Sequence, residues 1–260
     1  MFSAGPPPSD LPLPPVLERL AGDQAVRPVW RNELGGLTFA LGADKYVKWS
    51  PSGGPDLTAE RARLSWAGRF TPVPHVIDYG SDEGAQWLMT TALPGDTAVS
   101  DSWLDDPEPA VVAIGRGLRA LHDALPVGEC PFDWSAPRRV ARARRKGRRD
   151  PADWWPDHQH LDPDDAFARL DDVPPVDRVV VCHGDPCSPN TILDSDGGWV
   201  GHVDIGAMGV ADRWADLAVA TWSLEWNYGP GWDEVLLDAY GVQVDVERTA
   251  YYRLLWDLSP

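Results

Sequence analysis

The sequence has 260 residues, 43% apolar and 24% charged, which is enough to form one large domain or two lobes with a buried core. Its net charge of −17 predicts attraction of cations and repulsion of nucleic acid, so no nucleic-acid partner is expected. Three cysteines without CxxC spacing argue against a disulfide framework, and the lack of an apolar run of about 18 residues argues against a membrane span, so we expect a cytoplasmic protein.

The first third of the chain predicts a small β-rich lobe. Residues 1–15 are rich in proline and lack the pattern of a signal peptide, so we expect a flexible leader. Residues 26–50 predict short strands separated by glycine-bearing turns, and VPHVIDYG and AQWLMTTALPG predict two more strands. Between these groups, an Asp or Thr N-cap and the apolar positions of residues 56–70 predict a helix. We assign residues 16–92 to this lobe.

After Pro94 the sequence pattern becomes helical. Apolar residues three and four positions apart predict a helix with one buried face, formed by Val111, Ile114, Leu118, Leu121 and Leu125. The same spacing predicts a helix that ends at Gly241 and another near the C-terminus. Short branched runs in RVVVCHGD, NTIL and WVGHVD predict strands, the last two joined by a DSDGG turn. We assign residues 93–260 to a larger, mostly helical lobe, which makes the fold α/β (α+β).

Residues 138–149 form a basic segment, RRVARARRKGRR. They contribute eight positive charges and no negative one, which leaves −25 for the rest of the chain. The segment is either a polyanion-binding arm or the solvated face of a helix or loop, and the second is the commoner case. We assign it no catalytic role.

Two short motifs predict a phosphoryl-transfer site. His183, Asp185 and Asn190 fit H-x-D-x-x-x-x-N, the spacing of a kinase catalytic loop, and Asp204 begins a D-x-G motif after the hairpin. Such a site needs a carboxylate that accepts or orients the proton of the nucleophile, which suits Asp185. It also needs oxygen ligands for Mg²⁺, which suits Asn190 and Asp204. The alternative is a set of turn aspartates that cap backbone N–H groups.

Two residues upstream decide between these interpretations. A kinase needs a strand lysine for the α- and β-phosphates and a helical glutamate that holds this lysine. KYVKWS supplies Lys48 on a predicted strand, and Glu60 follows on the predicted helix. Either residue alone is typical of a solvated surface, but the four elements in this order favour a kinase.

Several stretches together resemble the aminoglycoside phosphotransferase family, most closely the 3'-phosphotransferase (kanamycin kinase) subgroup. The specific ones are HGDPCSPN and GVADRWADLA, accompanied by KYVKWS, TTALPG and LRALHDALPVGECPFD. The resemblance covers nearly the whole chain after residue 25. It implies a two-lobed, protein-kinase-like fold and an enzyme that uses ATP and Mg²⁺.

The resemblance also implies roles for individual residues. ATP is expected between the lobes, with Lys48 on its phosphates, Glu60 paired with Lys48, and the adenine at the linker from Thr90 to Ala92. Phe39 matches a position that stacks on adenine, although a core role is an equal alternative. Two further family aspartates, Asp212 and Asp216, are expected to brace the catalytic loop through hydrogen bonds.

The acceptor side is defined less sharply by the sequence. An aminoglycoside is a polycation, so carboxylates are expected to line its site, and the resemblance offers Asp157, Glu225 and Asp257. Each of them has an ordinary surface charge as its alternative. Two departures from the family pattern lie on this side: Ala207 replaces an arginine, and Trp154, Trp155 and Pro156 dilute the acidic cluster.

The favoured hypothesis is therefore transfer of the γ-phosphoryl group to an aminoglycoside 3'-hydroxyl, which would confer antibiotic resistance. One alternative is a kinase for another amino sugar, amino alcohol or endogenous metabolite. Another is a silent nucleotide- or drug-binding protein. The expected partner is the cationic acceptor alone, bound by a monomer or weak homodimer.

Overall fold

The structure is a computed structural model. It describes residues 5–8, 11–32, 34–82, 84–147 and 150–259. The chain divides into two compact units, Met1–Pro94 and Gly95–Pro260. No helix in the described ranges is long and apolar enough to cross a membrane.

The first unit is built on a five-stranded antiparallel sheet with the order β1-β2-β3-β5-β4. Its strands are β1 Val26–Arg31, β2 Leu37–Leu41, β3 Lys45–Pro51, β4 Val76–Ser81 and β5 Ala85–Thr91. These are the strands that the sequence predicted. The predicted helix is α2, Leu57–Ala67, and the Asp56 side chain caps it by accepting from the Thr58 N–H at 2.9 Å.

An additional helix precedes the sheet, α1, Pro15–Ala21. It buries Leu17 and Ala21 in one cluster with Phe39, Val47 and Trp87 of the sheet. Residues 1–4, 9 and 10 of the expected leader lie outside the described residues. Gly5 is not free of the sheet, because its N–H donates to the Arg31 carbonyl at 3.0 Å and its carbonyl accepts from the Arg31 N–H at 2.9 Å.

The second unit contains two small antiparallel sheets. One pairs β7, Val179–Cys182, with β10, Gly209–Asp212. The other has the order β6-β8-β9 and consists of β6 Asp96–Thr97, β8 Thr191–Leu193 and β9 Trp199–His202. Because β7 ends where HGDPCSPN begins and β8 starts where it ends, the motif is a loop held at both ends by strands.

Seven α-helices lie in the second unit, in the ranges that the structure describes. They are α3 Asp101–Asp105, α4 Pro107–Ala124, α5 Ala136–Lys146, α6 Pro163–Arg169, α7 Trp214–Tyr228, α8 Asp233–Tyr240 and α9 Val246–Leu258. All five apolar residues predicted to share one face of a helix are buried; four lie on α4, and Leu125 is its C-cap. Gly241 ends α8 with φ of 89°, as predicted, and its N–H donates to the Leu237 carbonyl at 2.8 Å.

The basic segment forms helix α5, with Arg148 and Arg149 outside the described residues. Four of its basic residues, Arg138, Arg144, Arg145 and Lys146, are exposed, as expected for the solvated face of a helix, but Arg139 is buried. Arg139 is 2% exposed, its guanidinium lies 4.6 Å from the Trp134 ring centre, and its Nε donates to Ser259 Oγ at 3.2 Å. Burial lowers the pKa of Arg139 to about 10.

Candidate active site

The first unit pairs the predicted lysine and glutamate. Lys48 lies on β3 between β2 and β5, where it is opposite Thr38 and Leu88. Its Nζ donates to Glu60 Oε1 of α2 at 2.6 Å. Glu60 is buried and Lys48 is half-buried, so this ion pair is shielded from solvent on one side. The pair fixes the direction of the lysine side chain.

The predicted adenine-binding residues have different environments. Phe39 is completely buried in the cluster with Leu17 and Val47, which favours the core interpretation; its contact with adenine stays a prediction. Thr90 is the residue of β5 opposite Tyr46. Ala92 follows that strand, and its N–H donates to the Asp44 carbonyl at 2.7 Å.

The predicted catalytic loop of the second unit, residues 183–190, is held at its start by Asp216 of α7. The Asp216 carboxylate accepts the N–H of His183 at 2.6 Å and that of Gly184 at 2.9 Å. It also lies 3.0 Å from His122 Nε2, and His122 Nδ1 lies 2.9 Å from the Tyr240 hydroxyl. Asp216 therefore braces the loop, as the resemblance implied.

The environment of Asp216 decides its charge. Burial raises the pKa of this carboxyl. The opposite effect is larger and comes from the hydrogen bond with His122, the charges of His122 and His183, and the N–H of Gly184, so the pKa is lowered overall. Asp216 is therefore a buried carboxylate that is stabilised by donors on all sides. This suits a permanent structural anion rather than a group that exchanges protons.

Asp212 has a different role from the one that the resemblance implied. Its carboxylate accepts the N–H of Asp177 at 2.9 Å and the N–H of Trp214 at 3.1 Å. These hydrogen bonds join the start of α7 to the chain before β7. They do not involve the loop of residues 183–190, because Asp212 lies opposite Val179, at the other end of β7 from that loop.

Two serines hold the far end of the loop. The Ser188 N–H donates to Ser223 Oγ of α7 at 2.9 Å, and both side chains are buried. Sequence reasoning missed Ser223, and it gave His122 and Tyr240 no role. No local pattern marks these residues, because their partners lie 35 to 118 positions away.

Asp185 lies in the middle of the catalytic loop. Its Oδ1 accepts from the Cys187 thiol at 3.0 Å, and its backbone carbonyl accepts from Asn190 Nδ2 at 2.9 Å. Burial raises the pKa of Asp185, and the negative charge of Asp204 raises it further. The two predicted carboxylates are therefore close enough to repel one another, and a cation between them would relieve this repulsion.

The predicted metal ligands have suitable atoms. Asn190 Nδ2 is used in the hydrogen bond to the loop, which leaves the amide oxygen for a cation. Asp204 is exposed and has φ of 60°, a conformation that few residues other than glycine adopt. Two hydrogen bonds hold the neighbouring Val203. Its N–H donates to the Asn190 carbonyl at 3.0 Å, and its carbonyl oxygen lies 3.0 Å from His183 Nε2. Carboxylate and amide oxygens are a donor set that fits Mg²⁺.

Gly184 is required where the catalytic loop passes the D-x-G segment. Its φ is 89°, and an added Cβ would lie 2.4 Å from the Ala207 carbonyl oxygen. A side chain at this position would collide with a backbone atom and would need a strained conformation. The sequence motif HGD therefore contains glycine for a steric reason.

The three proposed acceptor carboxylates surround a group of tryptophans. Asp157 is exposed and accepts from Trp222 Nε1 at 2.8 Å, whereas Glu225 pairs with Arg253 at 3.1 Å. Asp257 is only 2% exposed, and its Oδ2 accepts from the Trp155 N–H at 3.0 Å and lies 2.8 Å from His158 Nδ1. Asp257 thus anchors the loop that carries Asp157.

Comparison with known proteins gives one consistent result. The family model described as a phosphotransferase enzyme family (APH) matches residues 17–254. An aminoglycoside 3'-phosphotransferase of Streptomyces fradiae is 41% identical over 212 residues, which are 77% of this chain and 78% of the relative. A streptomycin 3''-kinase of Streptomyces griseus is 34% identical over 245 residues, which are 86% and 88% of the two chains.

Solved structures agree with these relatives. The crystal structure of a type VIII aminoglycoside-3'-phosphotransferase has a TM-score of 0.78 at 31% identity and covers 94% of this chain and 96% of its own. The aminoglycoside phosphotransferase APH(3'')-Id of Streptomyces rimosus, in complex with ADP and streptomycin, has a TM-score of 0.75 at 29% identity with the same coverage.

Proposed function

This chain belongs to the phosphotransferase enzyme family as an aminoglycoside phosphotransferase, and from this premise we propose that Asp185 directs the γ-phosphoryl group of ATP to an aminoglycoside hydroxyl. The fold is the kinase-like fold of its structural neighbours, and antibiotic resistance is the implied result. The observation that carries the proposal is the catalytic loop, in which two anchors on α7 hold Asp185 and Asn190 in one short segment. The protein acts, in this proposal, in the ATP-rich cytoplasm.

Asp185 is the proposed catalytic residue. Its carboxylate would accept a hydrogen bond from the acceptor hydroxyl and point an oxygen lone pair of that hydroxyl at the γ-phosphorus. The hydroxyl proton passes to Asp185 as the phosphorus–oxygen bond forms and the bond to ADP breaks. The Cys187 thiol, which donates to Oδ1 at 3.0 Å, leaves Oδ2 as the oxygen for this hydroxyl.

The remaining residues hold the donor. Lys48, oriented by Glu60, is proposed to bind the α- and β-phosphates, and Thr90 and Ala92 to adjoin the adenine. Asn190 and Asp204 are proposed to hold Mg²⁺. When bound, this ion neutralises charge on the phosphate oxygens.

The names of the relatives suggest which acceptor hydroxyl receives the phosphoryl group. Several are named 3'-phosphotransferases, so the 3'-hydroxyl is the first choice, but a streptomycin 3''-kinase aligns over a larger share of this chain. Another amino sugar or amino alcohol remains the alternative acceptor. Asp157 and Glu225, which are at least partly exposed, are proposed to face the acceptor, and Asp257 is proposed to act through the loop it anchors.

The test is release of ADP with Mg²⁺ and ATP, measured with kanamycin, neomycin, streptomycin, a 3'-deoxy aminoglycoside or no acceptor. We expect acceptor-dependent turnover, and a loss of roughly 100-fold or more in kcat for Asp185→Ala with an unchanged circular dichroism spectrum. Turnover of kanamycin but not of the 3'-deoxy compound would establish 3' transfer. Parent-like turnover of Asp185→Ala would refute the assignment.

A further inference from the structure

Four tryptophans of the second unit form one aromatic group, here called the tryptophan cluster. Trp155 stacks on Trp226 with ring centres 4.2 Å apart and an interplanar angle of 8°. Trp222 and Trp256 pack around this pair at tilted angles. Trp222 is 1% exposed, but Trp155 is 36% exposed and the other two rings are partly exposed. The cluster therefore has a buried base and an accessible aromatic face.

The cluster adjoins the catalytic loop. Ser223 of α7 accepts the N–H of Ser188, and Trp226 lies three residues further along the same helix. Residues three or four apart lie on the same side of a helix, about 5 Å along its axis. Asn227, next to Trp226, also donates to Ser223 Oγ at 3.2 Å. The accessible face thus begins one helical turn from the residue that supports the loop of Asp185.

Carboxylates hold the indoles in place. Asp157 accepts from Trp222 Nε1, and Asp257 accepts the backbone N–H of Trp155. Only Asp157 of these two is exposed. A site that relied on carboxylates alone to bind ammonium groups would keep both of them open to the ligand. Here Asp257 is buried and accepts the Trp155 N–H, and one oxygen of the exposed Asp157 is already bonded to the Trp222 indole.

We propose that the accessible face of the tryptophan cluster, together with Asp157 and Glu225, is an acceptor subsite for a flat guanidinium group. This inference rests on the proposed phosphotransferase function and specifies its acceptor. A guanidinium ion is planar and weakly hydrated and stacks on indole rings, whereas an ammonium ion is compact and strongly hydrated. An aromatic wall with few open carboxylates therefore selects the guanidinium.

The cluster already accommodates one such group. The guanidinium of Arg253 lies 5.7 Å from the Trp222 ring centre while it donates to Glu225 Oε1 at 3.1 Å. Indole face plus carboxylate is thus a combination that binds a guanidinium within this chain. The accessible face presents the same two chemical groups, with Trp155 and Trp226 as the rings and Asp157 as an exposed carboxylate.

The test compares two cyclitol fragments, streptidine, which carries two guanidinium groups, and 2-deoxystreptamine, which carries two ammonium groups. Their binding to the full chain with Mg²⁺ and ADP is measured by calorimetry, which needs no turnover. We expect streptidine to bind about threefold to thirtyfold more tightly, the range that a cation–π contact supplies. Trp226→Leu should bring the two affinities close to parity, and Trp226→Phe should retain part of the preference.

Trp30→Leu is the matched control, because Trp30 is 47% exposed on β1 of the first unit and should not change the preference. If Trp226→Leu does not fold, Trp155→Leu replaces it, since Trp155 is the more exposed partner of the stack. A parent that binds both fragments equally, or a leucine variant that keeps the preference, overturns the inference. Fragment preference without phosphoryl transfer to any acceptor would instead support the subsite and refute the proposed function.

Discussion

Asp216 and His122 are joined by a 3.0 Å hydrogen bond in the core of the second unit, although 94 positions separate them in the sequence. The other carboxylate contacts of Asp216 are the N–H groups of His183 and Gly184. His122 of α4 and Asp216 of α7 thus together position the start of the catalytic loop. This relationship should make the loop sensitive to changes at two buried residues.

Asp216→Asn tests this support. An amide of the same shape can accept with only one of its two polar atoms, so one N–H of the loop is left without an acceptor. A buried unsatisfied donor costs about 1–3 kcal/mol, and we expect the free energy of unfolding to fall by this amount in urea denaturation. The kcat should fall as well. The control is Asp238→Asn, because Asp238 is an exposed residue of α8, and it should change the free energy of unfolding by less than about 0.5 kcal/mol. An equal loss of stability in both variants would contradict the role assigned to Asp216.

The pH dependence of stability should report the same carboxylate. The pKa of Asp216 is lowered in the folded protein, so its contribution is fully present above the unfolded pKa, about 3.9, and is lost as the pH falls through the folded pKa. Urea midpoints of the parent and Asp216→Asn, measured from pH 7 down to pH 3, should therefore converge below about pH 4. A gap that widens towards acid would show that the sign of the shift is wrong.

Lys48 and Glu60 should act on the nucleotide rather than on the fold. Lys48→Met removes the cation proposed to bind the phosphates, and kcat/KM for ATP should fall roughly 100-fold or more. Glu60→Gln keeps a hydrogen-bond acceptor for Lys48 but removes the charge, so the loss should be smaller. The KM of the acceptor should change little in both variants.

Lys45→Met is the control for this pair, because Lys45 lies on the same strand and donates to Gln24 at 3.2 Å instead of to Glu60. The kcat/KM of this variant for ATP should stay within about threefold of the parent value, which corresponds to about 0.6 kcal/mol of activation free energy. Equal losses in Lys45→Met and Lys48→Met would point to a general effect of charge on this sheet.

Gly184→Ala should disrupt the catalytic loop. The new Cβ would lie 2.4 Å from the Ala207 carbonyl oxygen, and φ of 89° is strained for alanine. We expect a loss of about 1–3 kcal/mol in stability, measured by urea denaturation, together with a lower kcat. Gly128→Ala serves as the comparison, since an added Cβ meets no atom within 4 Å there. Normal activity of Gly184→Ala would show that the loop relaxes without cost.

Much of the fold was predictable because its signals are local. The spacing of apolar residues on α4, the alternation in the strands and the glycine after α8 each act through neighbours within a few positions. Helix α1 was not predicted: residues 16–21 were assigned to the first lobe without an element, and it is the packing of Leu17 and Ala21 against the sheet that accompanies the helix.

The candidate site likewise has one part that the sequence predicts and another that depends on tertiary packing. The sequence by itself determined which residues are predicted to carry the chemistry: Asp185, Asn190 and Asp204 lie within one strand–loop–hairpin segment, where spacing along the chain sets their order. Only the tertiary structure decided the supports and the acceptor wall, including the bond of His122 with Asp216, the burial of Asp257 and the stack of Trp155 on Trp226. These contacts join residues far apart in the chain. Their formation depends on how whole helices pack, which no local pattern of residues specifies.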